Sequence, residues 1–187
     1  MRNRVGTGQL YIQTRGFKRS QEAFNAIWVM YHKPVLFFIR NMVRDDAEDL
    51  LQEIMIKVYQ NLNRYKPWYS FNTWIYTIAR NHCNNHLEKR KPDVHNIEKW
   101  ENITGCCPLP DNPEYLLLKK EFQQNMDIAL NSLSCDLRQI AFLRFYEGMK
   151  CRDIAKVMNI PNGTVKSRLH HIRLKLKKEL ESYYEIE

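Results

Sequence analysis

Three groups of residues in this chain have types and spacings with chemical consequences. Between 162 and 178 there are six Lys or Arg and no acid. Lys166, His170, Arg173 and Lys177 recur there at intervals of 4, 3 and 4, which is one face of a helix. An acid-free helix gives up the i,i+4 ion pairs that would steady it in isolation. Phosphates are the natural source of the missing negative charge, although a merely solvated basic face is the plainer reading of charge alone.

The second group lies between Tyr65 and Tyr76, where six of twelve residues are aromatic against 12% for the chain. Phe71 and Trp74 fall on an apolar stripe and are expected in the core. Tyr65, Trp68, Tyr69 and Tyr76 fall in a loop or off that stripe. Exposed rings beside Arg80, Lys89, Arg90 and Lys91 would make a platform for unstacked bases, at ~1–3 kcal/mol per stacked base. Asn81, Asn84 and Asn85 follow on the same helix and carry amides able to read base edges. A second small core under the loop is the alternative. The third group is acidic: Asp46, Asp49, Gln52, Glu53 and Gln60 stand off the stripe of their helix. An acidic patch in a basic protein repels DNA, so it is either a solvated face or a docking surface for a basic protein partner.

No constellation fits covalent catalysis. His82 and His86 are four apart with Cys83 between them, but a zinc protease needs Glu directly after the first His. Cys106 and Cys107 add no second pair at zinc-finger spacing. No Gly-rich phosphate loop and no Gly-x-Ser-x-Gly is present. The expectation is a protein with no catalytic residues, no metal and no cofactor.

The elements that position these groups read as helices. Phe24, Ile27, Trp28 and Tyr31 repeat at i, i+3, i+4, i+7 behind Ser20. Pro34 suits the first turn of a second helix with Val35, Phe38, Ile39 and Met42 on one face. A third starts near Asp45–Asp46 with the stripe Ala47, Leu50, Leu51, Ile54, Val58 and Leu62. A fourth runs from Ser70 to about Arg90 and buries Phe71, Trp74, Ile75 and Ile78. Residues 91–113 hold four of the seven Pro, lack a period and carry a net −2, the character of an interdomain linker. Helical periodicity resumes near Glu114, and a further helix opens at Ser134 with Leu137, Ile140, Ala141 and Phe145 inward, closed by Gly148. Two closely spaced helices follow at about 151–158 and 162–182. Ile154, Ala155 and Met158 of the first and Val165, Leu169, Ile172 and Leu176 of the second are expected inside. Asn159 stands at the bend, where a left-handed residue is needed. That compact pair, with its basic outer face, reads as a DNA-binding helix-turn-helix.

Size and composition agree. With 187 residues, 44% of them hydrophobic, and a formal charge of +8, the chain can build two small cores and suits a polyanionic partner. The start of the chain is basic without an apolar run, and five Cys are too few and too odd for a disulfide framework, so a cytoplasmic setting is expected. The fold class is all-α, with two small helical domains at 20–90 and 114–187, a basic arm at 1–19 and an irregular linker at 91–113.

DAEDLLQEIMIKVYQNL followed by FNTWIYTIARNHCNNHL resembles the second conserved region of the sigma-70 family of RNA polymerase sigma factors, in its extracytoplasmic-function (ECF) group. LSCDLRQIAFLRFYEGMKCRDIAKVMNIPNGTVKSRLHHIRLKLKKEL resembles the fourth. The resemblance implies that Asp49, Gln52 and Glu53 dock on the coiled coil of the polymerase's largest subunit, with the flap region as a further contact. It implies that the loop 65–70 and the helix after it melt the −10 promoter region and capture a flipped base. Asn81 falls at the specificity position, and Tyr65, Trp68, Tyr69, Tyr76, Arg80, Asn84 and Asn85 surround it. It places the −35 reader on the last helix, with Thr164, Lys166, Ser167, Arg168, His170, His171 and Arg173 at contact positions. Partners so implied are core polymerase, promoter DNA and an anti-sigma factor, which would hold the protein at the inner face of the membrane. Lys150 departs from the family, standing where a Ser or Thr usually caps. The rival reading is a stand-alone helix-turn-helix regulator, which would need neither the acidic patch nor the aromatic loop.

Overall fold

The computed structural model describes residues 21–43, 45–66, 70–89 and 129–184. Helix α1 spans Gln21–Arg40 without interruption, straight through Pro34. The break expected at that proline does not occur. Proline inside a helix forfeits a backbone hydrogen bond and crowds the preceding turn, ~3 kcal/mol. Ile27, Val35, Phe38 and Ile39 are all at 0% exposure on this helix, and each fully buried side chain of that size returns ~1.5–3 kcal/mol. Packing therefore overrides the local penalty. Helix α2 is Ala47–Asn61, begins behind Asp46 and ends in the 3-10 turn Leu62–Arg64. Arg40 at the end of α1 pairs with Glu48 in the first turn of α2, fixing the corner between them. Helix α3 is Phe71–Lys89, and it packs against both α1 and α2.

In the second unit α4, Cys135–Ala141, widens into the π turn Phe142–Tyr146. There the Glu147 N–H donates to the Phe142 carbonyl at 3.1 Å, a five-residue rather than four-residue return. The wide turn changes which side faces in. Phe142 and Leu143 are buried, while Phe145, expected inside, is 50% exposed. Simple 3.6-residue phasing cannot anticipate this, because a π turn carries one residue more. Gly148 closes the segment at φ +66°.

Helix α5 is Cys151–Met158, and Lys150 before it makes no side-chain capping bond. Asn159 takes the left-handed conformation (φ 52°, ψ 47°), and the Ile160 N–H donates back to the Ala155 carbonyl at 3.1 Å. That closure satisfies the carbonyls left open at the helix end. Helix α6, Asn162–Tyr184, follows at once. Val165, Leu169 and Ile172 are buried as expected, as are Ile154 and Met158 of α5; Ala155 is only half-buried. The architecture is two all-helical units, α1–α3 and α4–α6. The arm 1–19, the linker 91–113 and residues 114–128 of the helix expected from Glu114 through Leu133 lie outside the described residues; the end of that helix is described, with 129–131 helical and Ala129 and Leu133 buried as expected.

The two units share one core. The Phe142 ring stands 5.1 Å from Phe37, 5.9 Å from Tyr76 and 6.1 Å from Phe38, centroid to centroid, and α3 packs against α5. Polar contacts line the seam. Tyr31 donates its hydroxyl to Asn72 Oδ1 at 2.6 Å, and Asn72 Nδ2 donates to Glu147 Oε2 at 3.0 Å. The Cys135 thiol donates to the Asn41 carbonyl at 2.9 Å. Since Phe142 is a keystone in this seam, Phe142→Ala is expected to cost about 3–5 kcal/mol, read as a lower urea midpoint; an unchanged midpoint would show that the seam adds no stability.

Candidate nucleic-acid interfaces

The outer side of α3 and the end of α2 enclose an open groove of about 390 Å³ lined by Lys57, Asn61, Arg64, Trp74, Ile78, Asn81, His82 and Asn85. Its positions on α3 (74, 78, 81, 82, 85) follow the i, i+4, i+7 rhythm of one helix face. Two residues singled out from sequence, Asn81 and Asn85, meet here. Lys57, Asn61, Arg64, Trp74 and His82 were not assigned to it by sequence reading. The sequence carries a signal for the first three: Lys57, Asn61 and Arg64 step by 4 and 3 along the end of α2, on the same helix as the stronger acidic pattern.

The aromatic residues divide differently from expectation. Trp74 is only half-buried and borders the groove, whereas Tyr65 and Tyr76, expected outside, are 5% and 0% exposed. Tyr65 packs 5.2 Å from Phe71 and 5.3 Å from Trp74, so it props the indole from below. Tyr76 lies edge-on to Phe38 at 5.1 Å and under Phe142. Phe142 and its neighbours from the second unit supply a core wall that the local stripe of α3 could not reveal. Neither ring offers a face to a base in this conformation. Trp68 and Tyr69 lie outside the described residues. Arg80 and Asn84 are half-buried and do not border the groove; burial raises the pKa of the Cys135 thiol, and Arg80 is near enough for its charge to oppose that rise slightly.

On α2, Asp49, Gln52 and Glu53 are all exposed, so the acidic face is open to solvent. Glu53 accepts a bond from His82 Nε2 at 2.6 Å, while Asp46 accepts one from His86 Nε2 at 2.9 Å. The two histidines that suggested a metal pair thus stitch α3 to α2. Among the described residues, no cluster of three or more His, Cys, Asp or Glu is placed to hold a metal.

On α6, Lys166, His170, His171 and Arg173 are exposed. Lys166, His170 and Arg173 form a contiguous strip. The rest of the expected contact set is partly occupied. Ser167 donates to the Gly163 carbonyl at 2.9 Å, and Arg168 reaches Asp136 Oδ2 at 3.4 Å, which turns its guanidinium toward the start of α4. Thr164 is half-buried.

Electrostatics along the seam favour neutral groups. Burial first, and the Glu147 carboxylate second, push the Tyr76 phenol well above its ordinary range, and the same two causes raise Tyr31. Burial pushes the Cys83 thiol up to about 12.

Two family models match the chain: Sigma-70 region 2 over residues 27–92 and Sigma-70, region 4 over residues 123–176. The ECF RNA polymerase sigma-E factor of Escherichia coli (strain K12) is 37% identical over 175 residues, which cover 89% of this chain and 91% of that protein. The RNA polymerase sigma-H factor of Pseudomonas aeruginosa is 36% identical, over 89% of each. Among solved structures, CnrH in complex with the cytosolic domain of CnrY aligns with a TM-score of 0.60 at 17% identity, covering 94% of this chain and 98% of CnrH. The sigma factor RpoE of Bartonella quintana, in complex with the anti-sigma factor NepR, aligns with a TM-score of 0.65 at 23% identity, covering 86% and 98%. These two likenesses show the fold.

A phenol with a raised pKa keeps its proton in the folded protein while the unfolded chain loses it from about pH 10 upward. Its contribution is therefore intact below that pH and falls away as pH rises through the folded value. The urea midpoint is expected to drop between pH 8 and pH 10.5, and to drop less in Tyr76→Phe; equal drops would exclude Tyr76 as the cause.

Proposed function

This chain belongs to the sigma-70 family of RNA polymerase sigma factors, in the ECF group, and from that premise we propose how its parts share the work of promoter recognition. As a sigma factor it directs transcription initiation through core polymerase and promoter elements, and its role is non-catalytic. The unit at 20–90 docks on core polymerase through Asp49, Gln52 and Glu53, whose exposed charge suits a basic partner such as the coiled coil of the largest subunit. The same unit captures the unpaired −10 strand in the α2–α3 groove. The observation that carries this reading is the groove itself. Cations (Lys57, Arg64), amides (Asn61, Asn81, Asn85) and one indole (Trp74) converge there on the side of α3 that the core leaves free. Extruding a base costs a few kcal/mol, a sum that stacking on Trp74 and amide bonds from Asn81 and Asn85 can offset. Strand opening is thus selection of the melted state, without nucleotide hydrolysis.

The unit at 114–187 places α6 in the major groove of the −35 element, with Lys166, His170, His171 and Arg173 toward DNA. Arg168, tied to Asp136, positions α6 on α4 instead. Centres of elements named −35 and −10 are ~25 base pairs, or ~85 Å, apart at ~3.4 Å per pair. Two units that share a core cannot read both at once. The seam around Phe142 therefore opens when the holoenzyme engages a promoter, and the linker at 91–113, at ~3.3 Å per extended residue, lets the two units part. The closed form is the one suited to capture by an anti-sigma factor, as a partner of that kind holds RpoE in its complex. No helix among the described residues is long and apolar enough to cross a membrane, and the working compartment we assign is the cytoplasm, where polymerase resides.

The exposed strip on α6 and the groove on α3 are tested separately with reconstituted holoenzyme. Asn81→Ala is expected to lower permanganate reactivity of −10 thymines about tenfold and to relax −10 preference, with core binding intact; wild-type opening would refute the groove assignment. Lys166→Ala with Arg173→Ala is expected to weaken binding to −35 duplex and to flatten its salt dependence by about one unit per lost phosphate contact. A stand-alone regulator would instead bind its duplex tightly without polymerase and give no transcript with it.

A further inference from the structure

His82 stands between the two surfaces just described and bonds to both. Its Nε2 lies 2.6 Å from Glu53 Oε2 on the acidic face, and its Nδ1 lies 2.6 Å from Lys57 Nζ at the groove. A lysine ammonium has donors and no acceptor, so Nδ1 must accept; a carboxylate accepts, so Nε2 must carry the proton. These partners fix one neutral tautomer. The side chain is 13% exposed while that of Glu53 is 59% exposed, so the ring is largely enclosed and the acid is free to be recruited by a partner. Glu53 and Lys57 are i and i+4 on α2, and an exposed Glu–Lys pair at that spacing would ordinarily meet directly. Here the imidazole is inserted between them, holding the lysine toward the groove.

We propose that His82 is a positioning residue that couples polymerase docking to strand capture: it sets Lys57 at the groove while sensing the state of Glu53. The inference rests on the docking and groove assignments above. When a basic partner engages the exposed side of Glu53, the carboxylate is fixed, its bond from Nε2–H is kept in line and Nδ1 stays aimed at Lys57, which is thereby held where the phosphate of a captured strand meets it. Because coupling of binding events is reciprocal, a strand held by Lys57 strengthens docking by the same factor. Addition of a proton to Nδ1 breaks the relay. It sets an N–H against the Lys57 ammonium, and that cation leaves its seat, with Arg64 lining the same groove as a further repelling charge. Glu53 and Lys57 from α2 and Arg64 from the turn after it are the charged groups around the ring; on its own helix His86, one turn on, is paired with Asp46.

The donor and acceptor of His82 are reproduced by glutamine, which cannot titrate, and removed by leucine. The experiment reconstitutes holoenzyme with wild type, His82→Gln and His82→Leu. It measures two quantities between pH 6 and pH 8: core affinity with and without a single-stranded −10 oligonucleotide, and permanganate reactivity of −10 thymines on a promoter duplex. In wild type the oligonucleotide is expected to tighten core binding about fivefold at pH 8 and less at pH 6. His82→Leu loses that linkage and opens the promoter about fivefold less well. His82→Gln recovers most of both and shows a flatter pH profile than wild type. Parallel pH profiles for wild type and His82→Gln, or linkage that survives in His82→Leu, would overturn the proposal and leave His82 as packing. Asn81→Ala distinguishes failure of the premise: if it opens as wild type does, the groove assignment fails, whatever His82 does.

Discussion

An α-helix turns about 100° per residue, so the 19 residues of α3 sweep every direction, and in this molecule almost every direction is spoken for. Inward, Phe71, Ile75, Tyr76, Ala79 and Cys83 are buried. Toward the second unit, Asn72 meets Glu147 and the helix lies along α5. Toward α2, His82 and His86 reach carboxylates. What remains is a single strip, Trp74, Ile78, Asn81 and Asn85, and that strip borders the groove. We assign strand capture to it because the other directions are consumed in holding the helix still. A strand-capturing surface needs that stillness, since a base is recognised only by groups already in place.

Charge follows the same economy of direction. Glu53 and the groove cation Lys57, one turn apart on α2, meet only across the His82 ring, and the exposed strip Lys166, His170 and Arg173 of α6 lies in a run of sequence without acids. The Tyr31–Asn72–Glu147 chain is the counterexample: a carboxylate is carried into a seam where it raises two phenols. A part-buried polar chain of this kind favours one geometry over others more than it favours the folded state, which suits a seam that closes in register and, on the function proposed above, also parts.

Much of this was legible from the chain itself. Helical period located α2, α3, α5 and α6, and Asn159 announced the left-handed bend because few other residues tolerate it. The exposure of Asp49, Gln52 and Glu53 and of Lys166, His170 and Arg173 followed from their distance from the apolar stripe. Three features lie beyond local period. The burial of Tyr76 depends on Phe142, 66 positions away along the chain; the continuity of α1 through Pro34 depends on tertiary packing that overrides proline; and the exposure of Phe145 follows from a π turn, which a fixed period does not contain. The groove was half seen for a related reason: its α3 side lay in one run of sequence, but its α2 side was masked by the stronger acidic signal on the same helix.

The π turn at Phe142–Tyr146 has a consequence for how the gene tolerates lesions. In an ordinary helix the deletion of a single codon swings every later side chain by about 100° and ruins the seam. A π turn already stores one residue beyond the α-helical complement. Loss of a codon within it leaves a shorter, regular helix, so the backbone heals while Phe142 and Glu147 change their relative phase. Such a protein would keep its two units folded yet fit them together out of step, separating the cost of damage to architecture from the cost to assembly.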